Sequence, residues 1–221
     1  MTEESRPRTC SPSFPVSKGR PVATRLIMAA LVACAFAATQ AQAQTNVRIR
    51  GTIEGVQGST LTIATREGPT IAVTLAPDAK IAALVPADLA AAGKGSFIGT
   101  AAIPQPDGTL KAQEVLIFPE AMRGVGEGHR AWDLTPDSTM TNATVEATVA
   151  GASGRELSLT YQGGGKTLLV PPGTPIVTLE PGDASLLKPG NHVFLSATPG
   201  ADGTLGAARI TVGKDGMVPP M

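Results

Sequence analysis

The segment 47–75, VRIRGTIEGVQGSTLTIATREGPTIAVTL, places apolar residues at every second position in three short stretches. The stretches are VRIRGTI, STLTIATR and PTIAVTL, and glycine-containing turns separate them. Alternation with a period of two is typical of strands that bury one face, and Gly between such runs marks turns. The segment therefore predicts three strands of a β-meander.

The residues that follow the meander complete a recognisable order of elements. Pro86 and the sequence ADLAAAG predict a short helical turn that Gly93 closes, and SFIGTAA and LKAQEVLIF predict two further strands. Asp107 and Gly108, in the connection PQPDGT, are typical of a β-hairpin. Three strands, a helical turn and two strands is the order of a five-stranded OB-type barrel, and it is also compatible with other small barrels.

The second half of the chain repeats this order at an offset near 95 residues. The tetrapeptide DGTL at 107–110 recurs at 202–205, Gly95 recurs as Gly190, and Pro86 recurs as Pro181. Similarity at a fixed offset indicates a duplication. We therefore predict an all-β chain of two tandem small OB-like five-stranded barrels joined by a long ordered loop. The predicted parts are a first repeat at 44–118, a connecting segment at 119–143, a second repeat at 144–216 and a loose tail at 217–221.

The first 43 residues have the pattern of an export signal. Five basic residues precede the apolar run 26–38, LIMAALVACAFAA, and the A-x-A pattern ends at Ala43. The run is shorter than a membrane-spanning helix, so we predict a signal peptide at 1–43 with cleavage before Gln44. The sequence LVAC, ending at Cys34, predicts lipidation as an alternative, and an uncleaved anchor is a third interpretation. All three interpretations place the rest of the chain outside the cytoplasm, so we predict a periplasmic or secreted protein or, as the alternative, a membrane-tethered lipoprotein.

Composition excludes several classes of function for the chain after that signal. Cleavage removes both cysteines, so no disulfide can stabilise the product. It also removes five of the 18 basic residues and two of the 18 acidic residues, which leaves a net charge of −3. A mildly acidic protein lacks the basic surface that nucleic acids require, and no later segment is apolar enough to span a membrane.

The connecting segment gathers the rare residue types. It contains the only Trp of the chain, Trp132, and one of its two His, His129. Together with His129, Glu127 and Asp133 are residue types that a divalent metal ion accepts, or that could form an acid/base pair in a hydrolase. Strong zinc motifs present several His or Cys at fixed spacing, so this is a weak metal pattern.

Two further interpretations of the connecting segment do not involve metal. In the structural one, Trp132 packs between the barrels and its indole N–H finds an acceptor, while polar side chains satisfy the backbone of a long loop. In the other, Trp132 is the platform of a binding site for a small organic or glycan ligand, with Arg123 and Arg130 as polar contacts.

The motifs around the connecting segment carry a family resemblance. The sequences VRIRGTI, PADL, QPDGTL, MRGVGEGHRAWDL and STMTNATV resemble those of exported proteobacterial proteins of uncharacterised function that are similar to the DUF5666 family of small OB-like domains. The resemblance covers about residues 47–213 and implies the fold and export. Some of these relatives carry the label of metal ABC transporter permease, from which this chain departs because a permease needs several membrane spans.

These observations lead to one prediction of function and one alternative. We predict an exported, non-enzymatic binding or interaction module without a cofactor, whose partner is a small molecule, a glycan or an envelope protein. The alternative is an accessory protein of metal transport that binds a divalent ion through His129, Glu127 and Asp133.

Overall fold

The computed structural model of the chain describes residues 45–151 and 154–220. The predicted signal peptide, its cleavage before Gln44 and the alternative lipidation at Cys34 lie outside these residues. Thirteen strands and several single 3-10 turns make up the regular structure of the described part. The first seven strands are β1 (Val47–Gln57), β2 (Thr60–Thr65), β3 (Thr70–Pro86), β4 (Phe97–Pro104), β5 (Leu110–Ala112), β6 (Val115–Ile117) and β7 (Gly128–Ala131). The other six are β8 (Thr139–Gly151), β9 (Gly154–Tyr161), β10 (Gly164–Val170), β11 (Ile176–Pro181), β12 (His192–Pro199) and β13 (Leu205–Gly213).

The predicted meander is confirmed, because β1 pairs with β2 and β2 with β3 in antiparallel register. Its alternation agrees with the sequence pattern, since Leu61 and Ile63 of β2 are buried in the core while Thr62 between them is only partly buried. The predicted helical turn is a 3-10 turn at Leu89–Ala91, and the side chain of Asp88 caps it by accepting a hydrogen bond from the Ala90 N–H at 2.7 Å.

The two DGT turns have the same geometry, which supports the duplication. Asp107 Oδ1 accepts from the N–H of Thr109 at 2.9 Å, and Asp202 Oδ1 accepts from the N–H of Thr204 at 3.1 Å. The glycine of each turn has a positive φ, which favours Gly over any other residue. The first turn joins antiparallel β4 and β5 and the second joins antiparallel β12 and β13, as predicted.

A closed five-stranded barrel forms from strands of both halves of the chain. Strand β1 pairs with β2 and β12, β3 pairs with β2 and β13, and antiparallel β12 and β13 close the ring. The pairing between β3 and β13 is parallel. The inward residues of the five strands share one apolar core, which includes Ile49, Ile53, Leu61, Ile63, Val73, Val193, Leu195, Ile210 and Val212.

The prediction of an all-β chain with a five-stranded barrel is confirmed. However, the strands of this barrel do not all come from one half of the chain. Its first three strands come from the first half, and its last two come from the second half. Alternation and turn residues specify strands and hairpins, yet they do not specify which neighbour a strand edge selects. The last hairpin of the first half, β4–β5, is similar to that of the second half, β12–β13. Either hairpin therefore offers strands β1 to β3 a similar edge.

The remaining strands pair around a second core. Antiparallel β8, β9 and β10 form a meander, β10 pairs in parallel with β5, and β4 pairs with both β5 and β8. Their buried side chains include Ile98, Leu110, Val145, Leu157, Leu159 and Leu168. Strands β6 and β11 connect the two groups, since β11 pairs with β3 and β6, and β6 pairs with β4.

Two predicted irregular segments are more ordered than expected. The connecting segment 119–143 contains a 3-10 turn at Glu120–Met122, and its strand β7 pairs with the beginning of β8. Three glycines at positions 124, 126 and 128 obscure the alternation there, so the sequence reads as a loop. The tail is not loose in its described residues, because Met217 packs against the cluster of Leu84, Leu116, Val177 and Leu179, and Pro219 is buried.

Candidate functional site

Trp132 follows β7 and lies on the outer face of the closed barrel. Its backbone N–H donates to the Ser138 carbonyl at 2.8 Å, which fixes the chain at this point. The guanidinium carbon of Arg48 lies 4.0 Å from the ring centroid, and the Phe194 centroid lies 6.4 Å away. Trp132 therefore packs the connecting segment against β1 and β12 of the closed barrel. The expected acceptor for its indole N–H is not found, because Nε1 is buried without a hydrogen-bond partner among the described residues.

Asp133 reinforces the packing of its neighbour Trp132. Its carboxylate accepts from Arg50 Nη2 at 2.7 Å and from Arg48 Nη1 at 3.1 Å, and these two arginines lie two residues apart on the same face of β1. Burial opposes ionisation of Asp133, but the hydrogen bonds from Arg50 and Arg48 outweigh it and hold the pKa of the carboxyl below its ordinary value. Asp133 thus serves as an ion-pair partner of β1.

The three residues predicted as metal ligands have separate partners. The Nδ1 atom of His129 lies 2.8 Å from the hydroxyl of Thr141, Oε1 of Glu127 accepts from the backbone N–H of Gln162 at 2.8 Å, and Asp133 binds the arginines of β1. Burial and, to a lesser extent, the nearby charges of Lys166 and Arg130 lower the pKa of His129. Across the described ranges 45–151 and 154–220, no three His, Cys, Asp or Glu side chains are grouped to hold a metal ion.

The predicted ligand contacts are only partly brought together. The guanidinium carbon of Arg130 lies 5.6 Å from the Trp132 centroid, while its Nη1 donates to the Gly126 carbonyl at 2.8 Å. Arg123 is engaged elsewhere, since it donates twice to the Glu120 carboxylate at 2.6 Å and once to the Gly95 carbonyl at 2.8 Å. Three arginines therefore surround Trp132, and Arg123 is not one of them.

A buried carboxyl group, Glu114, was missed by the sequence analysis. It lies between β5 and β6, is fully buried, and has no hydrogen-bond partner for either carboxyl oxygen among the described residues. Burial raises its pKa to about 8, although the charge of Arg50 acts in the opposite direction. The sequence could have indicated this position, because Glu114 continues the alternating series of Leu110 and Ala112. Both of those residues are buried in the structure.

A groove of about 640 Å³ is the other feature that the sequence analysis missed. It runs along the outer face of the closed barrel at β3 and β13, beside the end of β11 and the residues 119–125. Most of its wall is apolar and includes Ala82, Pro119, Ala121, Met122, Val125 and Leu179. We call this feature the β3–β13 groove.

Two basic side chains lie next to each other in the β3–β13 groove. Lys80 and Arg209 are directly opposed in the parallel ladder of the two strands, and both side chains are exposed. Neither forms an ion pair with any residue in the described part of the chain. The two carboxylates that line the groove have partners of their own: Glu180 lies 3.6 Å from Lys214 Nζ, and Asp183 accepts from the Ser185 N–H at 2.7 Å.

Comparison with known proteins adds no relative to this description. No protein-family model, curated protein or solved structure matches the chain. Within the described residues, none of the helices has the length and apolar character needed to cross a membrane. The geometry of the site therefore carries the functional argument.

Proposed function

We propose that the chain is an exported, non-enzymatic binding module whose β3–β13 groove holds a small, largely apolar organic acid. The observation that carries this proposal is that Lys80 and Arg209 are directly opposed in the groove and that neither forms an ion pair within the described part of the chain. Each part of the groove favours a different part of such a ligand.

The walls of the groove favour an apolar body. Side chains such as Ala82, Met122 and Leu179 leave apolar surface in contact with water when the groove is empty. Ligand pockets for small molecules commonly measure about 300–1,000 Å³, are lined mainly by apolar side chains and carry a few polar groups that orient the ligand. Burial of apolar ligand surface contributes about 25 cal/mol per Å².

The two cations favour an acidic end group. Like charges directly opposite each other on neighbouring strands destabilise a sheet, and a carboxylate between Lys80 and Arg209 would relieve this repulsion. Charge-assisted hydrogen bonds from a guanidinium to a carboxylate are among the stronger polar contacts in proteins. An acid with an apolar body can contact the apolar walls and bind the two cations at the same time.

The geometry around Trp132 favours the groove over the predicted aromatic platform. Arg48 covers the Trp132 ring at 4.0 Å, and Asp133 holds Arg48 in place. A glycan or organic ligand that stacked on this side of the ring would have to displace Arg48. We therefore assign Trp132 to packing and place the ligand in the β3–β13 groove.

A finer account of the fold belongs to the same proposal. The pairings among β4, β5, β8, β9 and β10 support a second OB-type barrel beside the closed one, with the last hairpins exchanged between the two halves. Export and the similarity to the DUF5666 family rest on the sequence and are part of the proposal.

Calorimetry with three matched probes tests the groove. We expect decanoate to bind the chain, and decanol and decyltrimethylammonium to bind at least roughly ten-fold more weakly, because only decanoate brings a negative charge to the cations. Lys80→Ala and Arg209→Ala should each weaken decanoate binding. Lys94→Ala removes an exposed lysine outside the groove and should leave it unchanged. Equal affinity for all three probes, or no binding of any, would overturn the proposal.

A further inference from the structure

A second concave site lies on another part of the outer face of the closed barrel. It has a volume of about 320 Å³ and lies between strands β1, β2 and β12 and the last described residues, where Val218 and Pro219 form a wall. Thr52 of β1 is opposed by His192 of β12 and by Ala64 of β2, so these three side chains share the outer face. We call this feature the β1–β12 pocket.

The charged residues that line the β1–β12 pocket all belong to basic types. Among the described residues, Arg50, Arg66 and His192 line it, and no Asp or Glu does. The backbone N–H of Arg66 donates to the Arg50 carbonyl at 2.8 Å, which places these two arginines next to each other across the β1–β2 ladder. Because the chain has equal numbers of acidic and basic residues, a concave site lined only by basic types is not explained by overall composition.

Two of the three basic groups, Arg50 and His192, are also fixed in position. The Arg50 side chain is only 6% exposed, and its ion pair with Asp133 holds it in one orientation. The Nδ1 atom of His192 lies 3.0 Å from the hydroxyl of Thr52, which orients the ring and leaves Nε2 for another partner. Ligand sites in proteins commonly consist of such oriented polar groups in a cavity, since little conformational entropy is lost on binding.

We propose that the β1–β12 pocket binds a tetrahedral oxyanion of the phosphate or sulfate class. Guanidinium groups bind such anions through paired hydrogen bonds, and the Nε2–H of His192 adds a donor from another direction when its Nδ1 accepts from the Thr52 hydroxyl. Donors that come from three strands suit an anion with oxygens on several sides. The pocket shares no lining residue with the β3–β13 groove, so this site is independent of the proposed function.

The single tryptophan provides a direct signal for binding. The Trp132 centroid lies 5.8 Å from the guanidinium carbon of Arg50 and 6.4 Å from the Phe194 centroid. Arg50 lines the β1–β12 pocket, so an anion that contacts this side chain changes the electrostatic field at the indole ring. The intrinsic fluorescence of Trp132 should therefore respond to an occupied pocket.

The test is a titration of the full chain with inorganic phosphate, and separately with sulfate, at an ionic strength held constant with sodium chloride. We expect a saturable change in Trp132 fluorescence with a matching heat of binding. Arg66→Ala and His192→Ala should each weaken binding roughly ten-fold or more, because each removes a donor to a charged group. Arg66→Lys should retain part of the affinity, since the positive charge remains.

A control and two outcomes complete the experiment. Lys188→Ala removes an exposed lysine outside the pocket and should bind phosphate as the unmodified chain does. The absence of a saturable response to both anions would overturn the proposal. It would also be overturned if Arg66→Ala and His192→Ala bound phosphate as tightly as Lys188→Ala while retaining the unmodified melting temperature.

Discussion

The carboxylate of Asp133 lies 2.7 Å from Nη2 of Arg50 and joins the segment between the two halves to the first strand of the closed barrel. Arg50 is almost entirely buried, so its charge depends on this partner. Trp132 packs against the same strand from the adjacent position. Trp132 and Asp133, two of the candidate site residues identified from the sequence, therefore stabilise the fold.

Replacement of Asp133 by Asn should destabilise the protein by about 1–3 kcal/mol, because the Arg50 charge loses its counter-ion. We expect the lower part of that range, since the Asp133 side chain is 47% exposed and water can partly replace it. Urea unfolding followed by circular dichroism measures the change. Glu120→Gln breaks an exposed ion pair with Arg123 and serves as the matched control, with an expected change in stability much smaller than that of Asp133→Asn. Equal costs for the two variants would contradict the structural role of Asp133.

Glu114 should make the protein less stable as the pH rises. Its pKa is raised from 4.5 to about 8 in the folded chain, so the unfolded chain releases this proton first. Below pH 4.5, Glu114 is protonated in both the folded and the unfolded chain, and its burial costs no ionisation energy. Between about pH 4.5 and 8 the unfolded chain ionises while the folded chain keeps the proton, so the stability of the folded chain falls. Relative to Glu114→Gln, the unmodified chain should lose on the order of 4 kcal/mol across this window.

Chemical unfolding at several pH values tests the behaviour of Glu114. The comparison with Glu114→Gln isolates one group, because every other titrating residue is common to both proteins. Glu146→Gln alters an exposed carboxylate and should follow the unmodified chain at each pH. Parallel pH profiles for the unmodified chain and Glu114→Gln would show that Glu114 ionises normally and is not buried as described.

Replacement of His129 by Ala should cost about 1 kcal/mol, since the buried hydroxyl of Thr141 loses its partner. The same variant tests the predicted metal site. A melting temperature that rises with zinc or manganese salts in the unmodified chain, and not in His129→Ala, would support binding through His129, Glu127 and Asp133. A cost near zero for His129→Ala without metal would contradict the contact with Thr141.

The exchange of hairpins predicts how the chain behaves when it is divided. The connection at Pro136 is exposed, so fragments 44–136 and 137–221 separate the two halves there. Each fragment alone lacks the hairpin that its first three strands pair with in the full chain, and we expect neither to unfold cooperatively as a monomer. Together they should associate and recover a cooperative transition by circular dichroism. A fragment that is monomeric and unfolds cooperatively by itself would mean that each half closes its own barrel.

The local features of the fold could be predicted from the sequence because their causes are local. Alternation in 47–75 gives the meander, and the DGT turns give hairpins whose Asp side chains bind the following backbone. The partners of the strands could not be predicted in this way. The hairpins of the two halves are similar, so the choice between them depends on how the whole sheet closes.

The candidate sites were harder to predict because they join distant positions. Asp133 was assigned to a metal site, yet its partners Arg48 and Arg50 lie more than 80 residues earlier in the chain. Lys80 and Arg209 become neighbours only through the parallel pairing of β3 with β13, which no local pattern indicates. Glu114 is different, since its place in an alternating buried series could have identified it.

Lys80 and Arg209 are proposed to select an acidic ligand for the β3–β13 groove. The most direct measurement is calorimetric titration of the double variant Lys80→Glu/Arg209→Glu with decanoate and with decyltrimethylammonium. Because the apolar walls are unchanged, the variant should lose affinity for decanoate and gain affinity for the cation, and so reverse the preference of the unmodified chain. Retained preference for decanoate in a variant with an unmodified circular dichroism spectrum would contradict the claim.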